Sequence, residues 1–187
     1  MILSAELGWV CTPDWQESVT SLRAQAEQSA VLDSMVVAGD QGPSAGRPHR
    51  LREAFIGQLA LARSVLRAVN GLHAVHSCES SYTLAGQINA TAVSLSGAVT
   101  GGAGYLEVNL VAAQSRWKAA FAAENLALPA RISALSADGE HTMLGTYESG
   151  LRCSWLNLYS AVTAAAAPLV TISELAECVA VADVVLG

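Results

Sequence analysis

Residues 92–117 read AVSLSGAVTGGAGYLEVNLVAAQSRW, and the fold class depends on how this stretch is interpreted. Three glycines within TGGAG, residues 100–104, separate two apolar runs. On the carboxyl side, Leu106, Val108 and Leu110 alternate with polar residues, as in a strand. The apolar residues that continue this run recur at the three- and four-residue spacing of a helix: Leu106, Leu110, Ala113, Trp117 and Phe121. We therefore interpret TGGAG as a turn between two helices, in which glycine supplies the backbone freedom of a helix C-cap.

A phosphate-binding loop at TGGAG is disfavoured by its neighbours. A Walker loop ends in lysine followed by serine or threonine, and neither follows Gly104. A dinucleotide-binding turn would need a third glycine where Glu107 stands, and a carboxylate there would repel phosphate. The stretch thus predicts no nucleotide site.

The same periodicity extends to both sides, and the sequence predicts an all-α fold, a compact bundle of five or six helices. Enrichment in threonine and valine keeps one alternative open, an α+β fold with a β-hairpin around residues 91–111. A capping box of Thr171 and Glu174 marks the start of the last helix. We expect a single domain over residues 1–187 with a flexible loop at 39–48. The predicted helices cover residues 12–38, 49–76, 82–99, 103–126, 144–162 and 171–186.

Composition restricts the functional classes. The 187 residues carry a net charge of −6, so nucleic acid is excluded as the main ligand. No apolar stretch reaches the roughly 20 residues of a membrane span. Hydrophobic residues make up 52% of the chain and charged residues 14%, which indicates that apolar surface is buried against a protein partner, expected to be a second copy. The start of the chain lacks the basic segment of a signal peptide, so we expect a location in the cytoplasm or within an assembled particle.

One cluster of side chains is suited to metal binding. His73, His76 and Cys78 lie close together in sequence, and two histidines three residues apart on a helix can share one metal. The four cysteines, Cys11, Cys78, Cys153 and Cys178, are widely spaced, which favours buried thiols over a zinc site or a redox pair. No serine-nucleophile motif or paired carboxylates appear, so we predict no catalytic residues and no cofactor.

Tryptophan gives the candidate contact residues. Trp9 and Trp15 lie at the start of the first predicted helix, and tryptophan is enriched at the energetic centres of protein interfaces. The favoured function is therefore a non-enzymatic structural or assembly subunit, such as a virion or phage component. The alternative is a small acidic binding module, an inhibitor or adaptor that masks a partner's surface. An enzyme or metal protein using His73, His76 and Cys78 is the third hypothesis.

Overall fold

The protein is an α/β fold built on one eight-stranded mixed sheet, so the predicted all-α bundle is wrong. The structure, a computed structural model, describes residues 7–28, 30–39, 47–123, 126–165 and 167–186. Helices in this part of the chain are α1 (Pro13–Ala26), α2 (Arg47–Leu66), α3 (Gly150–Thr163) and α4 (Ile172–Leu186). Strands are β1 (Ala30–Gly39), β2 (Leu72–Cys78), β3 (Ser81–Ile88), β4 (Thr91–Thr100), β5 (Tyr105–Ala112), β6 (Ser115–Ala122), β7 (Arg131–Ser136) and β8 (Gly139–Thr142).

The sheet has the strand order β2-β3-β4-β1-β5-β6-β7-β8. Strand β1 lies in the middle and pairs parallel with β4 on one side and antiparallel with β5 on the other. The remaining neighbours are antiparallel. The chain therefore places its first strand between two strands that follow it by roughly sixty and seventy-five residues, a topology dominated by non-local contacts.

The core lies between one face of the sheet and the helices. Along β1 the residues alternate between buried and more exposed, and Leu32 and Val36 are fully buried on the helix side. Helix α2 packs on β1 and β4, α1 packs on β1, β5 and α2, and α4 packs on α2 and the edge strand β2. Trp15 donates from Nε1 to Ser64 Oγ at 2.9 Å and stacks edge-on against Phe121, which joins α1 to α2 and β6.

The first predicted helix, residues 12–38, is half correct. Pro13 begins α1 as expected, but the helix ends at Ala26 and the remainder forms β1. Trp15, Val19 and Leu22 form the buried face of the helical half. The second half, AVLDSMVVAG, contains several β-branched residues, and its burial alternates with period two. The second predicted helix, 49–76, likewise ends at Leu66 and is followed by β2.

The two helices predicted at 82–99 and 103–126 are strands β3 to β6. The apolar pairs used to assign them, such as Leu84 with Ile88 and Leu106 with Leu110, are four residues apart. A separation of four fits one face of a helix and one face of a strand equally well. Burial on every second residue of β3, β4 and β5 shows which period is realised.

The β-hairpin alternative around residues 91–111 is also incorrect, although strands occupy both sides of TGGAG. Strands β4 and β5 do not pair with each other, because β1 lies between them. The turn at Gly101–Gly104 therefore carries the chain across the end of β1. It connects two strands that are not neighbours in the sheet, so it is neither the turn of a hairpin nor a turn between two helices.

The carboxyl-terminal region departs less from prediction. The helix expected at 144–162 is α3, which starts later, at Gly150. The capping box is confirmed: Thr171 N donates to Glu174 Oε2 at 2.7 Å, and Glu174 N donates to Thr171 Oγ1 at 3.2 Å. The predicted flexible loop at 39–48 falls mostly at residues 40–46, which lie outside the described residues. No described helix is long and apolar enough to cross a membrane.

Candidate functional site at the carboxyl end of β1

The strand order places the candidate site at the carboxyl end of β1. Strands β1 and β4 form the parallel pair of the sheet, so Gly39 and Thr100 end at the same edge. Ligands of open α/β sheets bind outside the carboxyl ends of parallel strands, where the strand order reverses. Here the connection from β4 runs to the far side of β1, which makes this edge such a point of reversal.

Two glycines, Gly39 and Gly104, allow the chain to cross the end of β1 closely. A Cβ atom added to Gly39 would lie 2.7 Å from the Gly102 carbonyl oxygen and 2.9 Å from the Gly104 nitrogen. A Cβ at Gly104 would lie 3.0 Å from the Val37 carbonyl oxygen and 3.2 Å from the Gly39 nitrogen. A Cβ at Gly39 would thus force the backbone to shift, and one at Gly104 would be tightly packed, whereas a Cβ at Gly102 would meet only Thr100 Oγ1 at 3.8 Å, an ordinary contact.

Helix α2 begins beside this edge and places ionisable side chains there. Arg50 Nη1 donates to the Gly39 carbonyl oxygen at 2.8 Å, which fixes the helix start against the end of β1. One turn apart on the helix, His49 Nε2 and Glu53 Oε1 are 2.9 Å apart. Their side chains are 44% and 34% exposed, so both remain accessible to a ligand.

This pair is suited to proton transfer. A carboxylate that accepts from one imidazole nitrogen orients the ring and fixes the proton on that nitrogen. With Nε2 of His49 directed at Glu53, Nδ1 is the nitrogen left to exchange a proton with a substrate hydroxyl or carbonyl. Sequence reasoning missed this pair, although a His–Glu spacing of four at a helix start was visible as a signal.

A dinucleotide does not fit the glycine-rich turn. In the dinucleotide-binding motif the glycine-rich turn leads from a strand into a helix, whose N-terminus receives the pyrophosphate. TGGAG leads from β4 into β5, and the space beside Gly104 is filled by the backbone of β1. The sequence-based exclusion of a phosphate loop therefore agrees with the geometry of the turn.

The predicted metal residues lie elsewhere. His73, His76 and Cys78 are on the exposed edge strand β2, not at the end of a helix. Among the described residues, no group of three or more histidine, cysteine, aspartate or glutamate side chains is arranged to hold a metal ion. Cys78 Sγ lies 3.2 Å from Ser81 Oγ, which in turn lies 3.3 Å from His76 Nε2. Hydrogen bonds from Ser81, Ser80 and His76 lower the Cys78 pKa to about 6.

The two tryptophans predicted to contact a partner are buried within this chain. Trp15 is inaccessible, and Trp9 is 5% exposed with Nε1 donating to the Ala122 carbonyl oxygen at 3.0 Å. The prediction of buried thiols is correct for Cys11, Cys153 and Cys178, which are buried and free, and wrong for Cys78, which is exposed on β2. Burial raises the pKa of both Cys11 and Cys178 to about 11.

Comparison with known proteins gives the fold. No protein-family model and no curated protein matches the sequence. Among solved structures, UDP-N-acetylglucosamine 3-dehydrogenase from Acidithiobacillus ferrooxidans matches with a TM-score of 0.67 at 15% identity, over 90% of this chain and 56% of its own. A 3-ketoreductase from Actinomadura kijaniata, solved with NADP and TDP-benzene, matches with a TM-score of 0.68 at 10% identity, over 96% of this chain and 60% of its own. A dehydrogenase from Clostridium difficile has a TM-score of 0.62 at 7% identity, with coverage of 90% and 58%.

The chain shares its fold with part of each of these enzymes. It spans somewhat over half the length of these enzymes. This likeness overturns the predicted structural or assembly subunit, and the acidic binding module with it, because the similar structures are dehydrogenases and a ketoreductase. A virion or phage component and an all-α interaction protein are accordingly incorrect descriptions.

Proposed function

We propose that this chain supplies the substrate-side domain of a nicotinamide-dependent oxidoreductase, with His49 as the proton-transfer residue. The observation that carries the proposal is the match of nearly the whole chain to three oxidoreductases. Two of them are named for oxidation or reduction at the 3-position of their substrates, and one of these is a UDP-N-acetylglucosamine dehydrogenase. The proposed substrate class is accordingly the secondary alcohol or ketone of a sugar, with a nucleotide-linked sugar as the first candidate.

The proposed reaction divides between two domains. Oxidation of a secondary alcohol releases a hydride from carbon, which a nicotinamide accepts, and a proton from the hydroxyl oxygen. His49 Nδ1 takes that proton, and Glu53 stabilises the resulting imidazolium through Nε2. In the direction of ketone reduction, the same nitrogen returns the proton to the oxygen.

The dinucleotide is assigned to a different domain. The TGGAG turn lacks the strand-to-helix geometry of a pyrophosphate site, and the matched enzymes are considerably longer than this chain. We therefore propose that a dinucleotide-binding domain packs beside the carboxyl end of β1, so that its nicotinamide reaches a substrate held at His49. No step of the proposed proton transfer requires a further group from this chain.

The experiment is a dinucleotide-reduction assay on the protein isolated from its native cells under conditions that retain bound partners. UDP-N-acetylglucosamine and a TDP-hexose are offered with NAD⁺ or NADP⁺. We expect turnover with at least one pair, and a fall in kcat of about 10²–10⁴-fold in His49→Gln, the range of general acid–base catalysis.

Glu140→Gln is the matched control, because Glu140 is an exposed residue on β8 and belongs to no part of the proposed site. Its rates should equal those of the unaltered protein. Full activity in His49→Gln would refute the role of His49. Absence of dinucleotide turnover in the retained complex, or tight binding of NADP⁺ by the isolated chain, would contradict the proposed division between domains.

A further inference from the structure

A second polar cleft lies far from His49, between α1, α2 and the segment that leads into α4. Its volume is about 630 Å³, within the range of small-molecule sites. We call it the arginine cleft, because Arg23, Arg63 and Arg67 all line it. The helical distance from Glu53 to Arg67 is about 20 Å, since α2 rises about 1.5 Å per residue. The cleft is therefore separate from the proposed proton-transfer site.

The three arginines differ in how their charge is balanced. Arg63 Nε lies 3.0 Å from Glu177 Oε2, and Arg63 Nη1 also pairs with Glu174, so its charge is matched inside the chain. Arg23 Nε donates to the Ser64 carbonyl oxygen at 2.6 Å, a neutral partner. In the part of the chain that the structure describes, neither Arg23 nor Arg67 forms an ion pair with a carboxylate.

Arg67 has a backbone conformation that a side chain rarely adopts. It follows the last residue of α2 with φ 64°, and its backbone N–H donates to the Arg63 carbonyl oxygen at 2.7 Å. Glycine is the usual residue at this position, because a Cβ atom makes the left-handed conformation unfavourable. Arg67 is an exposed residue that lines the cleft and is held there at a conformational cost, and such backbone outliers cluster at binding sites.

The rest of the lining indicates the chemistry of the ligand. Polar side chains come from Thr20 and from Gln16 and Ser64, which also hydrogen-bond within the chain, and apolar walls come from residues such as Val19 and Val170. Guanidinium groups bind carboxylate and phosphate oxygens through paired N–H donors. The Glu174 carboxylate also lines the cleft and is paired with Arg63, so Arg23 and Arg67 are the two lining cations that have no carboxylate partner among the described residues.

We infer that the arginine cleft binds a small organic anion, whose phosphate or carboxylate group is held by Arg23 and Arg67 and whose apolar part lies on the walls. This inference does not rest on the proposed oxidoreductase function. Charge is essential to it: an uncharged molecule of the same shape lacks the group that the two arginines recognise.

The test measures binding to the intact chain by calorimetry with three probes: phenyl phosphate, benzoate and benzyl alcohol. We expect at least one of the two anions to bind and benzyl alcohol not to bind. Binding by phenyl phosphate alone, or by benzoate alone, identifies the anionic group. The affinity should decrease as salt is added, because the recognition is electrostatic.

Arg67→Gly is the decisive variant, because it removes the guanidinium and relieves the left-handed backbone, so it should fold at least as well as the unaltered chain. We expect Kd to rise by about ten-fold or more in this variant and in Arg23→Gln, as for the loss of a charge-assisted contact. Arg116→Gln, at an exposed arginine on β6, should leave Kd unchanged. Failure of both anions to bind, equal binding of benzyl alcohol, or unchanged affinity in Arg67→Gly would each overturn the inference.

Discussion

At the scale of single residues, glycine determines how the chain crosses the sheet. The backbone of Gly39 lies so close to the Gly102 carbonyl oxygen and the Gly104 nitrogen that no Cβ atom fits at Gly39. The sequence shows that TGGAG is a glycine-rich turn, but it does not show which backbone segment the turn packs against. That segment is the backbone at residue 39, more than sixty positions away, and its identity depends on the strand order.

Gly39→Ala should destabilise the protein, because the new Cβ meets the Gly102 carbonyl oxygen at 2.7 Å and the backbone must shift. We expect a loss of about 1–3 kcal/mol in the free energy of unfolding, typical of overpacking. Urea denaturation followed by circular dichroism gives the value. Gly101→Ala, in the same turn, is the control, since nothing lies within 4 Å of its added Cβ. Equal stability of the two variants would show that the close approach does not constrain the fold.

Residue identity alone misassigned the tryptophans. Trp9 and Trp15 were predicted to contact a partner, yet both rings are buried and both indole N–H groups have acceptors inside the chain. Ser64, which accepts from Trp15, lies 49 positions away. Single-sequence reasoning had no means of bringing these two residues together.

At the scale of elements, helix starts were easier to predict than strands. Pro13 and the Thr171–Glu174 capping box mark the starts of α1 and α4, because their hydrogen bonds and backbone angles are local. The strands were mistaken for helices because apolar residues four apart fit both periods. Which period applies is decided by partner strands, and local sequence does not contain them.

The α4 cap makes stability depend on pH. Burial tends to raise the pKa of Glu174, but hydrogen bonds from Thr171 and its pairing with Arg63 outweigh this and hold the pKa below its usual 4.5. A carboxyl whose pKa is lower in the folded state stabilises the protein above its unfolded-state pKa, and this contribution is lost as pH falls through the folded-state value.

Unfolding midpoints measured from pH 7 down to pH 3 should therefore fall below about pH 4.5. In Glu174→Gln the decline over this range should be shallower, and the variant should be less stable at neutral pH. Glu140→Gln, at an exposed position on β8, should follow the unaltered protein throughout. An identical pH dependence in Glu174→Gln would contradict the role of this carboxylate.

At the scale of the whole molecule, β1 holds the sheet together. It lies between the two halves of the sheet. On one side it pairs with β4, the inner strand of the half formed by β2, β3 and β4, and on the other with β5, the inner strand of the half formed by β5 to β8. Residues on its helix side are buried in the core, whereas those on its other face are exposed by up to 50% in the case of Val31. Substitutions on the two faces of this one strand should therefore have very different effects.

Leu32→Ala removes a fully buried side chain and should cost about 2–5 kcal/mol in the free energy of unfolding. Met35→Ala, on the other face of β1 where the side chain is 40% exposed, should cost less than about 1 kcal/mol. Chemical denaturation of both variants provides the comparison. A similar cost on both faces would mean that the second face is also packed in solution.

Part of the candidate site depends on residues close together in sequence, and part depends on contacts between distant segments. His49 and Glu53 are one helical turn apart, so their pairing was readable from the sequence once a helix start was placed there. Their relation to Gly39 and the TGGAG turn required the strand order. The arginine cleft also depends on tertiary packing, since Arg23 lies on α1 and Arg67 directly follows α2.

By itself the sequence determined what depends on neighbours along the chain: the start of α1, the cap of α4, the wide spacing of the cysteines and the absence of a phosphate-loop motif at TGGAG. The tertiary structure decided the fold class, the burial of the tryptophans and the place where the two halves of the sheet meet. The physical reason is that strands gain their hydrogen bonds from distant partners, whereas helices make theirs within four residues. In this protein the central strand β1 pairs with segments about sixty and seventy-five residues away. That pairing determines the fold class and the place where the two halves of the sheet meet.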